Sequence, residues 1–112
     1  MSIEVRRGDV VVLASAGDFT GKPRPALVVQ NDLFNPSHGS VTVCLITTTL
    51  CEAPLFRLTL LPSESNGLRK VSQVMVDKVT TVRADAIATR VGTVQGSVVR
   101  AVDEALRLWL GV

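Results

Sequence analysis

Histidine, aromatic side chains and long apolar runs are all scarce in this sequence. It has one histidine, His38, no tyrosine, and an aromatic content of 4% over 112 residues. A single histidine excludes, within one chain, a centre in which two imidazoles act as general acid and general base. His38 lies in a Ser-His-Gly turn, where a solvated side chain is the ordinary role. The low aromatic content also weakens any surface on which successive bases would stack.

Metal-binding and disulfide patterns are missing as well. The two cysteines, Cys44 and Cys51, lack zinc-ligand spacing, and the sequence contains no P-loop or nucleophile elbow. Asp103 and Glu104 are the only adjacent carboxylates, on the predicted outer face of a helix, which argues against a two-metal phosphodiesterase. We therefore expect no metal and no cofactor. We also expect two free thiols, with Cys44 in the core.

Neither a membrane segment nor a strong net charge is present. No apolar run approaches the roughly 18 residues that span a bilayer, and no apolar signal segment follows the charged N-terminus. We expect a cytoplasmic protein of one domain, residues 1–112, with no membrane partner. A net charge of +2 is too small for non-specific attraction to nucleic acid, so any RNA site must be a local patch.

Short valine-rich segments separated by polar loops dominate what is present. They predict a mainly β fold, a small antiparallel barrel with short helices and a C-terminal amphipathic helix. The strand number alone does not separate an SH3-like barrel from an oligonucleotide-binding one. The predicted strands are 9–13, 25–30, 41–48, 56–61, 71–76, 79–82 and 90–94, and the predicted helices are 83–89 and 97–110.

One arginine stands between two prolines at the start of an apolar strand. Pro25 restricts Arg24 to an extended conformation, and Pro23 has a fixed φ and no N–H to donate. A stiff backbone beneath a guanidinium is suited to presenting its two-pronged donor to a phosphate. The alternative is an ordinary surface arginine at a strand end.

Two motifs around this arginine resemble those of the MazF/PemK family of toxin endoribonucleases. They are Arg-Gly-Asp-Val-Val at 7–11 and Arg-Pro-Ala-Leu-Val-Val-Gln-Asn-Asp at 24–32. Segments 45–48 and 77–82 and the closing helix also match, so the resemblance covers nearly the whole chain. It implies the SH3-like, CcdB/MazF/PemK-like barrel, a homodimer, and metal-independent cleavage of single-stranded mRNA at short sequences. It also implies a cognate antitoxin protein as partner.

The resemblance assigns catalysis to Arg24 and Thr47. The family places its catalytic pair at the arginine of the Arg-Pro motif and at the threonine that ends the central strand. Cleavage of RNA requires the 2′-hydroxyl to lose a proton and the pentavalent phosphate to be stabilised. Arg24 can donate two hydrogen bonds to that phosphate, and the Thr47 hydroxyl can add one more. The alternative for Thr47 is a β-branched strand residue without a catalytic role.

The general base is less defined, because three family positions differ here. Phe19 stands where some members carry a glutamate, and Asp18 is the nearest carboxylate. Met75 and Thr80 stand where arginines flank the aspartate matched by Asp77. We take Asp18 and Asp77 as candidate general bases, with a loop acid and a strand-end acid as the structural alternatives.

The polar loop over residues 15–22 is the predicted gate for RNA. Its lysine can meet phosphates and its phenylalanine can stack on a base, or anchor the loop instead. The residues predicted to bind RNA are Phe19, Thr20, Lys22, Thr48 and Lys78.

Two other functions fit parts of the sequence. The ending Leu-Trp-Leu-Gly-Val at 108–112 resembles the tryptophan-glycine ending of CcdB-type gyrase poisons, which share the barrel but inhibit a protein. The structural alternative, which we prefer, is that Trp109 extends the apolar stripe of the last helix into the core. A non-catalytic barrel that only binds RNA or an antitoxin is the third hypothesis.

Overall fold

A six-stranded antiparallel sheet and a C-terminal helix form the fold. The computed structural model describes residues 3–14 and 24–112. The strands occur in the spatial order β4-β5-β3-β2-β1-β6, which confirms the predicted mainly β architecture with a closing helix. The elements are β1 (Asp9–Leu13), β2 (Arg24–Val28), β3 (Ser40–Thr47), β4 (Arg57–Leu60), β5 (Ser72–Arg83), a 3₁₀ turn (Ala84–Ala86), β6 (Ile87–Thr93) and α1 (Gly96–Leu110).

The loop between β4 and β5 closes the sheet towards its far edge, β6. Thr93 N donates a hydrogen bond to Ser65 O at 2.8 Å. A side chain at Gly92 would meet Ser65 O at 2.3 Å, so only glycine permits this close approach. Buried Asn66 holds the loop, since its Oδ1 accepts from Ser63 N and Leu68 N. The curled sheet therefore has the form of a small barrel.

Side chains that alternate between the two faces of the sheet form two separate cores. The helix-side core contains Leu27, Cys44, Val74 and Val102. The second core lies on the opposite face of the sheet and contains Val11, Leu13, Ala26, Val43 and Ile87. Since successive strand residues point to opposite faces, Arg24 shares its face with Ala26, and Thr47 shares its face with Val43. Both predicted catalytic residues therefore lie on the second-core face.

Helix α1 covers the helix-side core through its third turn, where Ala105 is still buried and Leu106 still packs against it. Val102 is 1% exposed. Trp109, about two turns further on, is 49% exposed and packs against Phe56, with 5.5 Å between ring centroids. The predicted burial of Trp109 in the core is therefore wrong, because the helix extends past the sheet that its stripe contacts. Gly111 ends the helix as expected, with φ +74° and its N–H bonded to Arg107 O.

The helix predicted over 83–89 is also wrong. Only the 3₁₀ turn Ala84–Ala86 is helical there, and β6 begins at Ile87. The local sequence is alanine-rich and suits a helix. Pairing of Leu13 with Ile87, together with the bond from Ala14 N to Ala86 O, satisfies this backbone in the sheet instead. Tertiary pairing overrides local propensity here.

The segments predicted as separate strands at 71–76 and 79–82 form one strand, β5. Its register against β3 shifts: Cys44 pairs with Val79, whereas the next residue, Leu45, pairs with Met75. Residues 76–78 therefore form a bulge in β5, which we call the β5 bulge. Such bulges redirect side chains locally.

Both cysteines are free thiols, as predicted. Burial raises the pKa of the Cys44 thiol to about 12, so this thiol is a core residue and not a nucleophile. In the two described ranges, no helix has the length and apolarity that a bilayer crossing requires.

Candidate functional site

A row of polar residues crosses four strands of the sheet. Strand β2 pairs with β3 through Ala26↔Leu45, Leu27↔Cys44 and Val28↔Val43, and the same register continued by two residues brings Arg24 level with Thr47. Thr47 pairs with Gln73 on β5, which in turn pairs with Thr59 on β4. Directly opposed residues of antiparallel strands project to the same face. We call Arg24, Thr47, Gln73 and Thr59 the polar row.

Arg24 is the exposed first residue of β2. On its other side it pairs with Leu13 of β1, a buried member of the second core. The backbone of Arg24 is therefore held by packed strands, while its side chain lies at the surface. This is the geometry that the flanking prolines predict.

Thr47 is the half-buried last residue of β3. Its Oγ1 accepts a hydrogen bond from Thr49 N at 3.1 Å. This bond uses the hydroxyl oxygen as acceptor and fixes its orientation, so the hydroxyl hydrogen can be donated to a phosphoryl oxygen. Thr48 is exposed next to it, which suits its predicted contact with RNA.

Lys78 and Asp77 lie in the β5 bulge, outside the polar row. The bulge faces β3 between Cys44 and Leu45. It therefore lies two to three residues from Thr47, roughly 8 Å at about 3.3 Å per residue. Lys78 is exposed there, so it can extend a positive surface but does not join the catalytic pair.

Asp77 is held in a two-pronged ion pair with Arg57. Arg57 Nε donates to Asp77 Oδ1 at 2.8 Å, and Nη2 donates to Oδ2 at 3.1 Å. The two side chains are only 14% and 15% exposed. The hydrogen bonds from Arg57 hold the pKa of Asp77 below its usual value. A carboxylate with both oxygens engaged and a lowered pKa is a poor proton acceptor, which favours a structural role over the predicted role of general base.

Four predicted site residues, Asp18, Phe19, Thr20 and Lys22, lie outside the described residues, so their roles stay predictions. His38 is an exposed turn residue whose Nδ1 accepts a bond from Ser40 N. Among residues 3–14 and 24–112, no group of three His, Cys, Asp or Glu side chains is placed to hold a metal ion.

Sequence and structure comparisons agree on one family. The family model of PemK-like, MazF-like toxins of type II toxin–antitoxin systems matches residues 6–110. A probable endoribonuclease MazF of Mycolicibacterium smegmatis is 43% identical over 108 residues, covering 96% of this chain and 98% of that protein. The chain belongs to the PemK/MazF toxin family. The predicted family resemblance is thus confirmed.

Solved structures confirm the CcdB/MazF fold. An endoribonuclease from a mycobacterial species superimposes with a TM-score of 0.81, covering 100% of this chain and 96% of that one, at 23% identity. A mycobacterial endoribonuclease in complex with its cognate antitoxin superimposes with a TM-score of 0.80, with 96% of each chain covered, at 25% identity.

The first family motif, at residues 7–11, holds the fold together. Arg7 Nε donates to Val29 O at 3.0 Å, and its guanidinium also pairs with Asp103 of α1. Buried Asp9 accepts from Arg6 N at 2.8 Å and from Arg90 Nε at 3.1 Å. These motif residues are therefore fixed in structural contacts.

The end of the second family motif is structural too. Gln30 Oε1 accepts from Thr42 N, and its Nε2 donates to Ser40 O, each at 3.1 Å. Asp32 Oδ1 accepts from Arg7 N at 2.7 Å. This bond is the first cause of the lowered pKa of Asp32. Only the Arg24 end of the motif belongs to the polar row.

Two residues near the site were not predicted from the sequence. Gln73 had a signal, because an amide within the apolar strand 71–76 must find hydrogen bonds when buried. The pairing of Arg57 with Asp77 had no signal in the sequence, because the two residues are 20 positions apart and no local pattern links them.

Proposed function

We propose that this chain is the toxin of a type II toxin–antitoxin system, a sequence-specific, metal-independent endoribonuclease that cleaves single-stranded mRNA. One observation carries the proposal: the β2–β3 register, when continued by two residues, brings Arg24 level with Thr47 on one face. Membership of the PemK/MazF family supports the same activity. A guanidinium beside a hydroxyl provides donors for a phosphate and does not require a metal.

In the proposed reaction, the 2′-oxygen of a ribose attacks the adjacent phosphorus. The bond from phosphorus to the 5′-oxygen of the next nucleotide breaks, and that oxygen takes up a proton from water as it leaves. Arg24 donates two hydrogen bonds to the phosphoryl oxygens, whose negative charge increases in the pentavalent state, and Thr47 donates one. Loss of one such donor costs about 10²–10³ in rate in other enzymes.

The proton of the 2′-hydroxyl needs an acceptor. Of the two candidate bases, we prefer Asp18, because the ion pair with Arg57 engages both oxygens of Asp77. Asp18 precedes Arg24 by six positions, within the predicted RNA gate. We propose that Phe19, Thr20 and Lys22 of that segment contact RNA together with Thr48.

The partners that we propose are a cognate antitoxin, which covers the polar row, and a second copy of the chain. A mycobacterial endoribonuclease of similar fold has been solved with its cognate antitoxin, which supports the first partner. We propose that the protein acts in the cytoplasm, where its mRNA substrate is.

Digestion of single-stranded transcripts by the purified protein in EDTA tests the function. Sequencing the new 5′ ends would identify the recognition sequence, and we expect discrete cuts that the chelator does not prevent. Arg24→Ala should lower the cleavage rate by about 10²–10³ without changing the fold. Arg83→Ala is the matched control, because it removes an arginine that is 81% exposed and pairs only with nearby Asp85 among its described contacts.

The same experiment separates the other hypotheses. Folded protein that leaves every transcript uncut would contradict the nuclease assignment, as would full activity in Arg24→Ala. A CcdB-type gyrase poison would lose toxicity when residues 110–112 are deleted, without any RNA cleavage by the parent. The exposed end of α1 fits such a contact, but the family model that matches this chain is that of PemK-like toxins.

A further inference from the structure

Gln73 is the buried residue of the polar row, and its side-chain amide bonds to the loop that follows β3. Gln73 is 6% exposed, although it lies in a sheet whose other buried positions are mostly apolar. Its Oε1 accepts a bond from Cys51 N at 3.1 Å, and its Nε2 donates to Cys51 O at 2.9 Å. A third bond runs from Nε2 to Thr59 Oγ1 at 3.3 Å. The amide thus fixes the backbone of one residue, Cys51, through both its N–H and its C=O.

Cys51 ends a short segment that begins at the predicted catalytic threonine. The other end of the segment is fixed by the bond from Thr49 N to Thr47 Oγ1. Thr48, Thr49 and Leu50 lie between, and all three are exposed. With so few residues between the two fixed points, a shift of Cys51 changes the position of the Thr49 N–H. The Thr47 hydroxyl loses its orientation when that N–H moves.

We propose that Gln73 is a positioning residue for RNA cleavage. By holding both backbone groups of Cys51, it keeps the Thr49 N–H on Thr47 Oγ1 and so directs the threonine hydroxyl towards the phosphate. Gln73 itself touches no reacting atom. The inference rests on the proposed function, because the orientation of Thr47 matters for the rate only if the chain cleaves RNA.

The surroundings of Cys51 distinguish positioning from simple stabilisation. Cys51 is exposed, so we expect water to reach its N–H and C=O when the amide is removed. The loss of stability is then small, whereas the segment gains freedom. Misplacement of a catalytic group by about 1 Å can cost 10²-fold in rate. The rate should therefore respond more than the unfolding temperature does.

Gln73→Met tests the proposal, because methionine has a similar length and no hydrogen-bonding amide. We expect kcat to fall by about 10- to 100-fold with KM changed by less than about twofold. Gln30→Met is the matched control, since it removes an amide that bonds the backbone of Ser40 and Thr42, outside the polar row. It should change kcat by less than about twofold. Equal effects of both variants, or a change in KM alone, would overturn the proposal.

A double-mutant cycle with Thr47→Val decides whether Gln73 acts through the threonine. In single-turnover reactions at high enzyme concentration, Gln73→Met should have no further effect once Thr47 is replaced, because the hydroxyl that it positions is gone. If the rate losses of the two single variants multiply in the double variant, Gln73 acts independently of Thr47. That result would contradict the inference.

A measurement without RNA separates this inference from the proposed function. Three-bond NMR couplings report the side-chain rotamer of Thr47, which should be single in the wild-type chain and averaged in Gln73→Met. If the wild-type chain cuts no RNA, the proposed function fails, and the couplings still show whether Gln73 orients Thr47. A single, unchanged rotamer in Gln73→Met would overturn the positioning role in either case.

Discussion

An arginine lies at each end of the second family motif, residues 24–32, and the two arginines have different surroundings. Arg24 begins the motif, and Arg7 contacts its other end. At the end that leads to Asp32, Arg7 donates to Val29 O, and Gly8 N donates to Val28 O at 2.8 Å. At the start, Arg24 is an exposed residue in the polar row. A buried strand of apolar residues separates the two ends. One continuous motif therefore combines a structural clamp with the proposed phosphate-binding group.

The difference between the two arginines lies in where each stands in the fold. The Arg7 side chain is 28% exposed and bonded to a backbone carbonyl and to the Asp103 carboxylate, which is 26% exposed. The cost of removing the Arg7 guanidinium from water is offset by these two partners within the protein. Arg24 stands at the surface beside Thr47, where a substrate phosphate can reach it. Position in the fold, and not residue type, sets the role of each arginine.

Among substitutions that keep the charge, the largest effect should come from replacing Arg24 with lysine. Lysine keeps the positive charge but cannot donate two parallel hydrogen bonds to one phosphate. We expect kcat/KM for RNA cleavage to fall about 100-fold, which corresponds to about 2.7 kcal/mol of lost transition-state stabilisation. Thermal unfolding should shift by less than about 1 °C, because the side chain is exposed. Steady-state cleavage of a defined RNA and calorimetry measure the two quantities.

The same substitution at Arg7 should have the opposite pattern. A lysine lacks the planar guanidinium that bonds Val29 O through Nε and both Asp103 oxygens through its two Nη atoms. We therefore expect a loss of about 1–2 kcal/mol in the free energy of unfolding. Cleavage per folded molecule should remain within about twofold of wild type. Urea denaturation gives the first quantity, and rates normalised to the folded fraction give the second. A rate loss matching that of Arg24→Lys would remove the distinction between the two ends.

A smaller, pH-dependent effect is expected from Asp77→Asn. We expect a loss of about 1–2 kcal/mol in unfolding free energy at neutral pH, since a hydrogen-bonded ion pair is broken. Because Arg57 lowers the pKa of Asp77, this stabilisation is present above the ordinary aspartate pKa of about 3.9. It is lost as pH falls through the lowered value. The difference between wild type and variant should be constant over about pH 5–8 and shrink below about pH 4.

Asp85→Asn is the matched control for that experiment. The Arg83–Asp85 pair is 81% and 63% exposed, and its loss should change stability by less than about 0.5 kcal/mol. The activity of Asp77→Asn also bears on the general base. We expect cleavage to persist, whereas a fall of about 10²-fold or more would restore Asp77 as the proton acceptor.

Strand positions were the most predictable feature of the fold. Runs of β-branched residues placed β1 and β3 within a residue of their observed bounds, because such residues favour strands wherever they occur in the chain. The segment 84–93 was predicted less well, since its alanines favour a helix and only pairing with β1 makes it a strand. Trp109 was misplaced because a helical stripe does not show where the opposing sheet ends.

Local residues and motif resemblance therefore determined the family, the strand-rich architecture and the candidate pair Arg24 and Thr47. Tertiary structure alone decided the β2–β3 register, which brings these two level when it is continued by two residues. It also decided that Asp77 is engaged by Arg57 and that Gln73 holds the backbone of Cys51. The reason is physical: propensity and periodicity act over a few neighbouring residues. Cross-strand register and ion pairing join residues about 20 or more positions apart, which meet only once the sheet has formed.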